Sequence, residues 1–108
     1  MGITSAEVQD LVRLLAREEW SGLYEIISSL NTAHPEVSAA AKIDAVRPVL
    51  GVLLERGHLE LGWLEWPEGR PPIPIETPEA IRLLDDPQSW RPGERYPVLI
   101  PQPSWRTS

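Results

Sequence analysis

The sequence contains no cysteine, so the chain can form neither a disulfide framework nor a thiolate metal site. It also lacks an apolar run long enough to span a membrane and the basic-then-apolar N-terminal layout of a signal peptide. With 108 residues it is long enough for one domain and too short for two. We therefore expect a single cytoplasmic domain that makes no contact with a membrane.

Histidine is scarce, and the motifs of common enzymes are missing. The two histidines, His34 and His58, lie on different predicted elements, and neither stands beside a plausible nucleophile. There is no GxSxG nucleophile motif, no phosphate-binding glycine loop and no HExxH zinc motif. These absences predict a protein that is not an enzyme and that holds no cofactor and no metal.

Positive charge is also in short supply. Ten lysines and arginines stand against sixteen aspartates and glutamates, which gives a formal net charge of −6. Nucleic-acid affinity comes mainly from lysine and arginine side chains that neutralise phosphates, so a duplex would repel this chain unless its basic residues were gathered on one face. An acidic surface suits a basic protein partner instead.

Apolar residues at helical spacing predict two helices in the first third of the chain. Thr4 and Glu7 form a T-x-x-E capping box ahead of a helix over residues 5–18. A second helix is predicted to run from Ser21, a plausible N-cap, to Asn31, because asparagine tolerates the left-handed conformation common at helix ends.

A third predicted helix follows a short turn. It begins at Pro35 or Ser38, since proline is tolerated in a first turn and serine is a good cap. Pro48 in its interior removes one backbone hydrogen bond, which predicts one bent helix rather than two separate helices. Gly57 ends the apolar periodicity and predicts the end of the helix.

Alternating residues directly after Gly57 predict a strand over residues 58–66. One face of this strand is predicted to enter the core through Leu59, Leu61 and Trp63. The pattern breaks at Leu64 and Trp66, which fall on the outer face and predict either a bulge at Gly62 or an exposed apolar spot.

The second half of the chain is rich in proline and in turn signals. Residues 67–72 predict a loop, and residues 73–76 predict a return strand that its proline confines to a sheet edge. Thr77 caps a predicted short helix over residues 78–84, and a turn begins at Asp86. Residues 96–100 predict a last strand, which pairs with residues 58–66 or with another chain.

Residues 6–75 resemble a winged-helix domain, the arrangement shared by many small bacterial transcription regulators. The resemblance is carried by core positions: Val8-x-x-Leu11-Val12, Leu23-x-x-Ile26-Ile27, Leu50-x-x-Leu53-Leu54-x-x-Gly57 and His58-Leu59-Glu60-Leu61. It implies an α+β winged helix-turn-helix fold with three helices, a β wing and a short fourth helix. The helical core would span residues 4–57, the wing residues 58–76 and a C-terminal extension residues 77–108.

Residues 81–90, Ile-Arg-Leu-Leu-Asp-Asp-Pro-Gln-Ser-Trp, resemble the tails of small acidic bacterial proteins that accompany secreted toxins as immunity partners. Such an inhibitor of a nuclease needs carboxylates, because the substrate site of the toxin is basic and carboxylates mimic phosphates. Candidates for this partner-binding surface are Glu60, Glu65, Glu68, Glu76, Glu79, Asp85 and Asp86. For each residue taken singly, an ordinary solvated position is the alternative.

Five tryptophans are present in a chain without phenylalanine. Trp63 and Trp90 are predicted to lie in the core. Trp66 and Trp105 are candidate interface anchors, because tryptophan is favoured at binding hot spots. Packing of the proline-rich half against the helices is the alternative for these two.

Two further hypotheses compete with the immunity protein. A dimeric DNA-binding regulator would contact DNA through Lys42 and Arg47 on the third helix and Arg70 at the wing tip, although no basic stripe accompanies them. A scaffold protein would dimerise through the edge formed by residues 96–100. We prefer a non-enzymatic protein-binding module, most concretely an immunity protein that occludes the basic active site of a nuclease-type toxin.

Overall fold

The computed structural model describes residues 2–18, 20–65 and 71–103. Within these ranges the chain forms four α-helices, a short 3-10 helix and three strands, which is an α+β fold. None of the helices in these ranges is both long enough and apolar enough to cross a membrane.

The first helix, α1, spans Ser5–Arg17 and starts at the predicted cap. The Thr4 hydroxyl accepts a hydrogen bond from the backbone N–H of Glu7 at 3.1 Å. The reciprocal half of the predicted capping box is not formed, because the Glu7 carboxylate lies 2.7 Å from Nε2 of His34 instead. That contact ties the start of α1 to the end of the next helix.

The second helix, α2, spans Leu23–Ala33. The prediction that Ser21 is its N-cap is wrong. The buried Ser21 hydroxyl donates to the carbonyl oxygen of Leu15 at 2.8 Å. The capping residue is Gly22, whose backbone N–H donates to the Glu25 carboxylate at 2.6 Å. The serine therefore fastens the corner between α1 and α2 rather than starting the helix.

The turn between the second and third helices is set by a proline and a serine. α2 runs past the predicted stop at Asn31 and ends at His34, which precedes a proline and is therefore disfavoured in helical conformation. The third helix, α3, spans Ala39–Glu55 and is capped by the Ser38 hydroxyl, which accepts a backbone N–H three residues on at 3.2 Å. It continues through Pro48 as one helix, as predicted.

The sheet begins directly after α3. Gly57 has a φ of +74°, a left-handed conformation that costs glycine little and other residues more. Strand β1, Leu59–Glu65, follows, and strand β2, Ile73–Ile75, pairs antiparallel with it. Strand β3, Arg95–Pro101, pairs antiparallel with the other side of β1, so the strand order is β2-β1-β3. β2 is an edge strand, as its proline predicted.

Two short helices connect β2 to β3: α4, Thr77–Leu83, and the 3-10 helix Pro87–Trp90. The Asp86 carboxylate starts the 3-10 helix by accepting a backbone N–H two residues on at 3.0 Å, which confirms the predicted turn. Trp90 is buried as predicted, and its Nε1 donates to the carbonyl oxygen of Leu84 at 3.0 Å.

Strand β3 is paired on both sides at its centre. The backbone N–H of Leu99 donates to the Ser21 carbonyl oxygen at 2.8 Å, and Gly22 forms a bridge with Val98. The predicted pairing of residues 96–100 with β1 is confirmed, and the outer edge of β3, predicted to be exposed, is covered at Val98 and Leu99 by the Ser21–Gly22 segment. The side chains of Val98 and Leu99 are buried, so β3 is an internal part of the fold.

One hydrophobic core joins the four helices and one face of the sheet. Leu59 and Leu61 of β1 enter this core as predicted, whereas Trp63 is only partly buried against it. Leu64 was predicted to lie on the opposite face, with either a bulge at Gly62 or an exposed apolar spot. It is only 8% exposed, and the pairing of β1 with β3 passes through Gly62 without a bulge, so neither alternative is found at these residues. Leu64 lies beside Tyr96 of β3 in the register, and we call the apolar side chains on this face, Leu64, Tyr96 and Val98, the second layer.

Two tyrosines contribute to this second layer. The rings of Tyr24 and Tyr96 meet edge to face with centroids 5.6 Å apart. Burial raises the pKa of Tyr24 above its ordinary value of 10.0, and the neighbouring Glu25 carboxylate and Tyr96 raise it further.

Candidate functional site

Four of the predicted acidic residues lie along α4 and its two ends, and we call them the α4 acidic segment: Glu76, Glu79, Asp85 and Asp86. All four are exposed. Glu76 is the N-cap residue of α4 but its side chain makes no capping hydrogen bond. The helix has seven residues and is therefore about 10 Å long.

Arginines of the same chain neutralise part of this segment. Arg82 lies 2.6 Å from the Glu79 carboxylate, and Arg47 of α3 lies 3.6 Å from Asp85. Exposed ion pairs of this kind contribute about 0–1 kcal/mol, so a partner can displace them at little cost. Glu76 takes part in no ion pair with another described residue, and Asp86 only caps the 3-10 helix.

The acidic residues of β1 do not join the α4 acidic segment into one continuous charge. Glu60 and Glu65 stand at opposite ends of β1, about 17 Å apart along the strand, and point to opposite faces of the sheet. Glu65 lies 3.7 Å from Nε of Arg95, whose guanidinium also stacks 4.3 Å from the centre of the Trp63 ring. Glu68 lies outside the described residues.

The two candidate aromatic anchors, Trp66 and Trp105, lie outside the described residues. Among the tryptophans that are described, Trp63 presents one face of its ring to Arg95 and takes part in a small depression beside Asp86. This depression joins the sheet to the C-terminal end of the α4 acidic segment.

The structure contradicts the placement of Lys42 on a DNA-binding face. Lys42 is only 3% exposed, and its Nζ donates to Oδ1 of Asn31 at 2.5 Å. It shares the inner stripe of α3 with Val46, one turn further on. A buried ammonium paired within the chain is not available to a phosphate.

The two other candidate DNA contacts fare differently. Arg47 is partly exposed, but its guanidinium contacts carboxylates on both sides, Asp44 at 3.1 Å and Asp85 at 3.6 Å. Arg70 lies outside the described residues. Of the three predicted DNA contacts, the structure therefore leaves only Arg47 at a described surface, and there it serves an internal ion-pair network.

The two histidines have separate structural settings. His34 caps the end of α2 and contacts Glu7 at 2.7 Å, with the Glu36 carboxylate 3.9 Å from its other ring nitrogen. His58 follows α3 and precedes β1. In the part of the chain that the structure describes, no three histidine, aspartate or glutamate side chains are grouped as a metal site requires.

A groove that was not predicted from the sequence lies between α1 and α3 and has a volume of about 420 Å³. Its α1 wall carries Ser5, Gln9 and Arg13, which recur every fourth residue. This spacing puts them on one face of the helix and was a signal in the sequence. The facing wall comes from the second half of α3, more than thirty residues away. No signal in the sequence therefore indicated that the two walls face each other.

No protein-family model, no curated protein and no solved structure matches this chain.

Proposed function

We propose that this protein is a non-enzymatic protein-binding module whose α4 acidic segment binds a basic partner. The observation that carries the proposal is the exposure of all four carboxylates of that segment in a chain of net charge −6. A basic partner can replace the internal arginines, because exposed ion pairs exchange cheaply. Carboxylates on such a surface also accelerate association with a basic protein.

The most concrete form of this module is an immunity protein that neutralises a nuclease-type toxin by covering its basic active site. Steric and electrostatic occlusion requires a small rigid domain that presents carboxylates, and no catalytic group. The resemblance of residues 81–90 to the tails of such proteins supports this form. These residues contribute Asp85, Asp86 and the buried Trp90, which anchors the segment to the fold.

We also propose that this α+β fold is of the winged-helix type. Three helices followed by the β1–β2 hairpin, with Gly57 at the junction, support this description. The added strand β3, on the other side of β1, extends the hairpin into a three-stranded sheet. In this form the domain is a scaffold for protein binding, since Lys42 is unavailable for DNA.

The test is a charge reversal on the α4 acidic segment. The protein to test as partner is the purified product of the adjacent gene, and the measurement is the association rate and Kd by biolayer interferometry. The double variant Glu76→Lys/Glu79→Lys should lower the association rate by about tenfold or more at low salt, and the loss should shrink as salt rises. Neither side chain is needed for a capping hydrogen bond.

A matched control carries the same charge change elsewhere. Asp10→Lys/Glu55→Lys alters two exposed acids on α1 and α3 and should retain most of the association rate. Equal losses in the two double variants would mean that only net charge matters and would refute a specific site. If the protein instead bound a labelled DNA duplex with a steep salt dependence, the DNA-binding hypothesis would replace this one.

A further inference from the structure

The groove between α1 and α3 has the dimensions of a small-molecule site. Its volume of about 420 Å³ falls within the range of roughly 300–1,000 Å³ that such sites occupy. Both walls are helices, which hold their side chains in fixed relative positions. The groove is therefore a preformed concavity that needs no rearrangement of the backbone to accept a ligand.

The wall contributed by α3 is apolar. Val49, Val52 and Leu53 line it, with Pro48 at one end. Val52 is 45% exposed, one of three large apolar side chains in the described part of the chain with such exposure. An exposed valine inside a concavity, unlike one on a convex surface, can be covered by the apolar part of a ligand.

The rim of the groove has the opposite charge to the molecule as a whole. Arg13, Arg56 and His58 line it, and none of the aspartates and glutamates that the structure describes does. In a chain with six more acids than bases, this lining differs in charge from the rest of the described surface. Arg56, at the end of α3, is exposed and forms no ion pair with any other described residue.

His58 supplies a hydrogen-bonding group at this rim. Its Nδ1 is shielded from solvent and has no hydrogen-bond partner among the described residues. A buried polar nitrogen without a partner is unfavourable, so a rotation of the His58 ring that brings Nδ1 to a ligand in the groove is favoured. When Nδ1 carries the proton it is a donor, and a carboxylate oxygen is a suitable acceptor.

The groove is distinct from the α4 acidic segment. Ile43, which faces the C-terminal end of that segment, and Val52, which faces the groove, are about two and a half helical turns apart on α3. They therefore project from opposite sides of the helix. A ligand in the groove and a basic partner on α4 would be separated by the width of α3.

We propose that this groove binds a small organic carboxylate with an apolar chain, its carboxylate held by Arg56 and His58 and its chain covering Val49, Val52 and Leu53. The basic residues of the rim favour a negatively charged ligand, and the apolar wall favours a ligand with an alkyl chain. This site is independent of the proposed function: either one can be correct without the other.

The experiment titrates the full chain with octanoate below its micelle concentration, with calorimetry for the affinity and NMR for the location. Octan-1-ol has the same alkyl chain as octanoate without the negative charge, and acetate has the carboxylate without the long alkyl chain. Octanoate should bind one site and do so about tenfold or more tightly than either comparison compound. The ring protons of His58 should shift on binding, while those of His34, held by Glu7, should not.

Two variants test the assigned contacts, and one serves as a control. Arg56→Gln should lower the affinity for octanoate about fivefold to tenfold and leave that for octan-1-ol unchanged. Val52→Glu, at an exposed position, should weaken the binding of both. Leu14→Glu makes the same kind of change at an exposed leucine of α1 that does not line the groove, and should change neither.

Several results would overturn the proposal. Absence of saturable binding, equal affinity for octanoate and octan-1-ol, or shifts that map outside the groove would each do so. Shifts at the groove that grow with protein concentration alone would identify a second copy of this chain as the occupant.

Discussion

Lys42 shows how one side chain can decide between two functions. Its position four residues before Val46 puts it on the core stripe of α3, where an apolar residue would be expected. The cost of burying its ammonium is reduced by Asn31, at 2.5 Å, and its side chain is only 3% exposed. A lysine that sequence alone places on the surface is thus a structural link between α2 and α3.

We predict that Lys42→Glu destabilises the protein by about 3–5 kcal/mol, because a carboxylate then lies unpaired in the core. Lys42→Met keeps the stem, leaves the exposed Asn31 amide to water, and should cost less than about 1 kcal/mol. Urea unfolding followed by circular dichroism measures both. If Lys42→Glu were as stable as the parent chain, the burial of this side chain would be wrong.

Tyr24 predicts a dependence of stability on alkaline pH. Its pKa is raised in the folded state, first by burial and then by Glu25 and Tyr96, so the folded chain holds this proton more tightly than the unfolded chain does. The resulting stability is fully present below pH 10.0 and is lost as the pH rises through the folded pKa. Between pH 9 and about 11 the parent should therefore lose stability more steeply than Tyr24→Phe. Parallel urea titrations of the two proteins would refute this if their slopes against pH coincided.

At the scale of elements, two glycines have opposite roles. Gly51 lies within α3, and a methyl group added there would meet no atom within 4 Å. Gly62 lies in the centre of β1, where an added methyl group would stand 2.6 Å from Cδ1 of Ile100 and 2.8 Å from Cβ of Pro72. The isoleucine can move, but the proline ring cannot easily do so.

The same substitution should therefore have opposite effects at these two positions. Gly51→Ala should stabilise the protein by about 0.5–1 kcal/mol, since alanine favours the helix and restricts the unfolded chain. Gly62→Ala should destabilise it by about 1–3 kcal/mol through overpacking. Thermal unfolding of the two variants gives the comparison, and a destabilised Gly51→Ala or a neutral Gly62→Ala would contradict it.

Local signals predicted the elements well and their long-range contacts poorly. The Thr4 and Ser38 caps, the end of α3 at Gly57 and the edge position of β2 follow from the residues themselves. The role of Ser21 does not follow from the sequence. Its hydroxyl donates to Leu15 within the α1–α2 corner, and its carbonyl oxygen accepts from Leu99 in a strand almost eighty residues later. Propensity favours a serine as a cap, and only the tertiary packing overrides it.

At the scale of the whole molecule, the candidate surfaces depend on which segments the fold brings together. The acids of α4 are neighbours in sequence, so they could be selected as a group from the sequence. The groove pairs α1 with the end of α3, and Lys42 is buried by α2, and neither contact has a local signature. Charge composition predicted an acidic protein but could not predict a basic groove within it.

The C-terminal strand also changes how the molecule must be divided. The prediction placed residues 77–108 as an extension of a complete helical core and wing. In the structure β3 pairs with the full length of β1 on one side and with the Ser21–Gly22 segment on the other. Val98 and Leu99 are almost completely buried between them. The chain is thus closed by its last strand, and the core is incomplete without it.

We predict that a chain ending at Pro92 does not fold. It loses the burial of Val98 and Leu99, which contributes about 1.5–3 kcal/mol of stability for each side chain. It also loses the backbone hydrogen bonds between β1 and β3. These losses are comparable to the total stability of a small domain, about 5–15 kcal/mol.

Because the missing strand pairs through its backbone, a synthetic peptide of residues 93–108 should restore the fold when added in trans, whereas a peptide of the same composition in scrambled order should not. Amide NMR spectra of the three samples provide the measurement. Dispersed, native-like resonances from the chain ending at Pro92 alone would show that the helices and the β1–β2 hairpin form an independent domain, and that β3 is an addition to it.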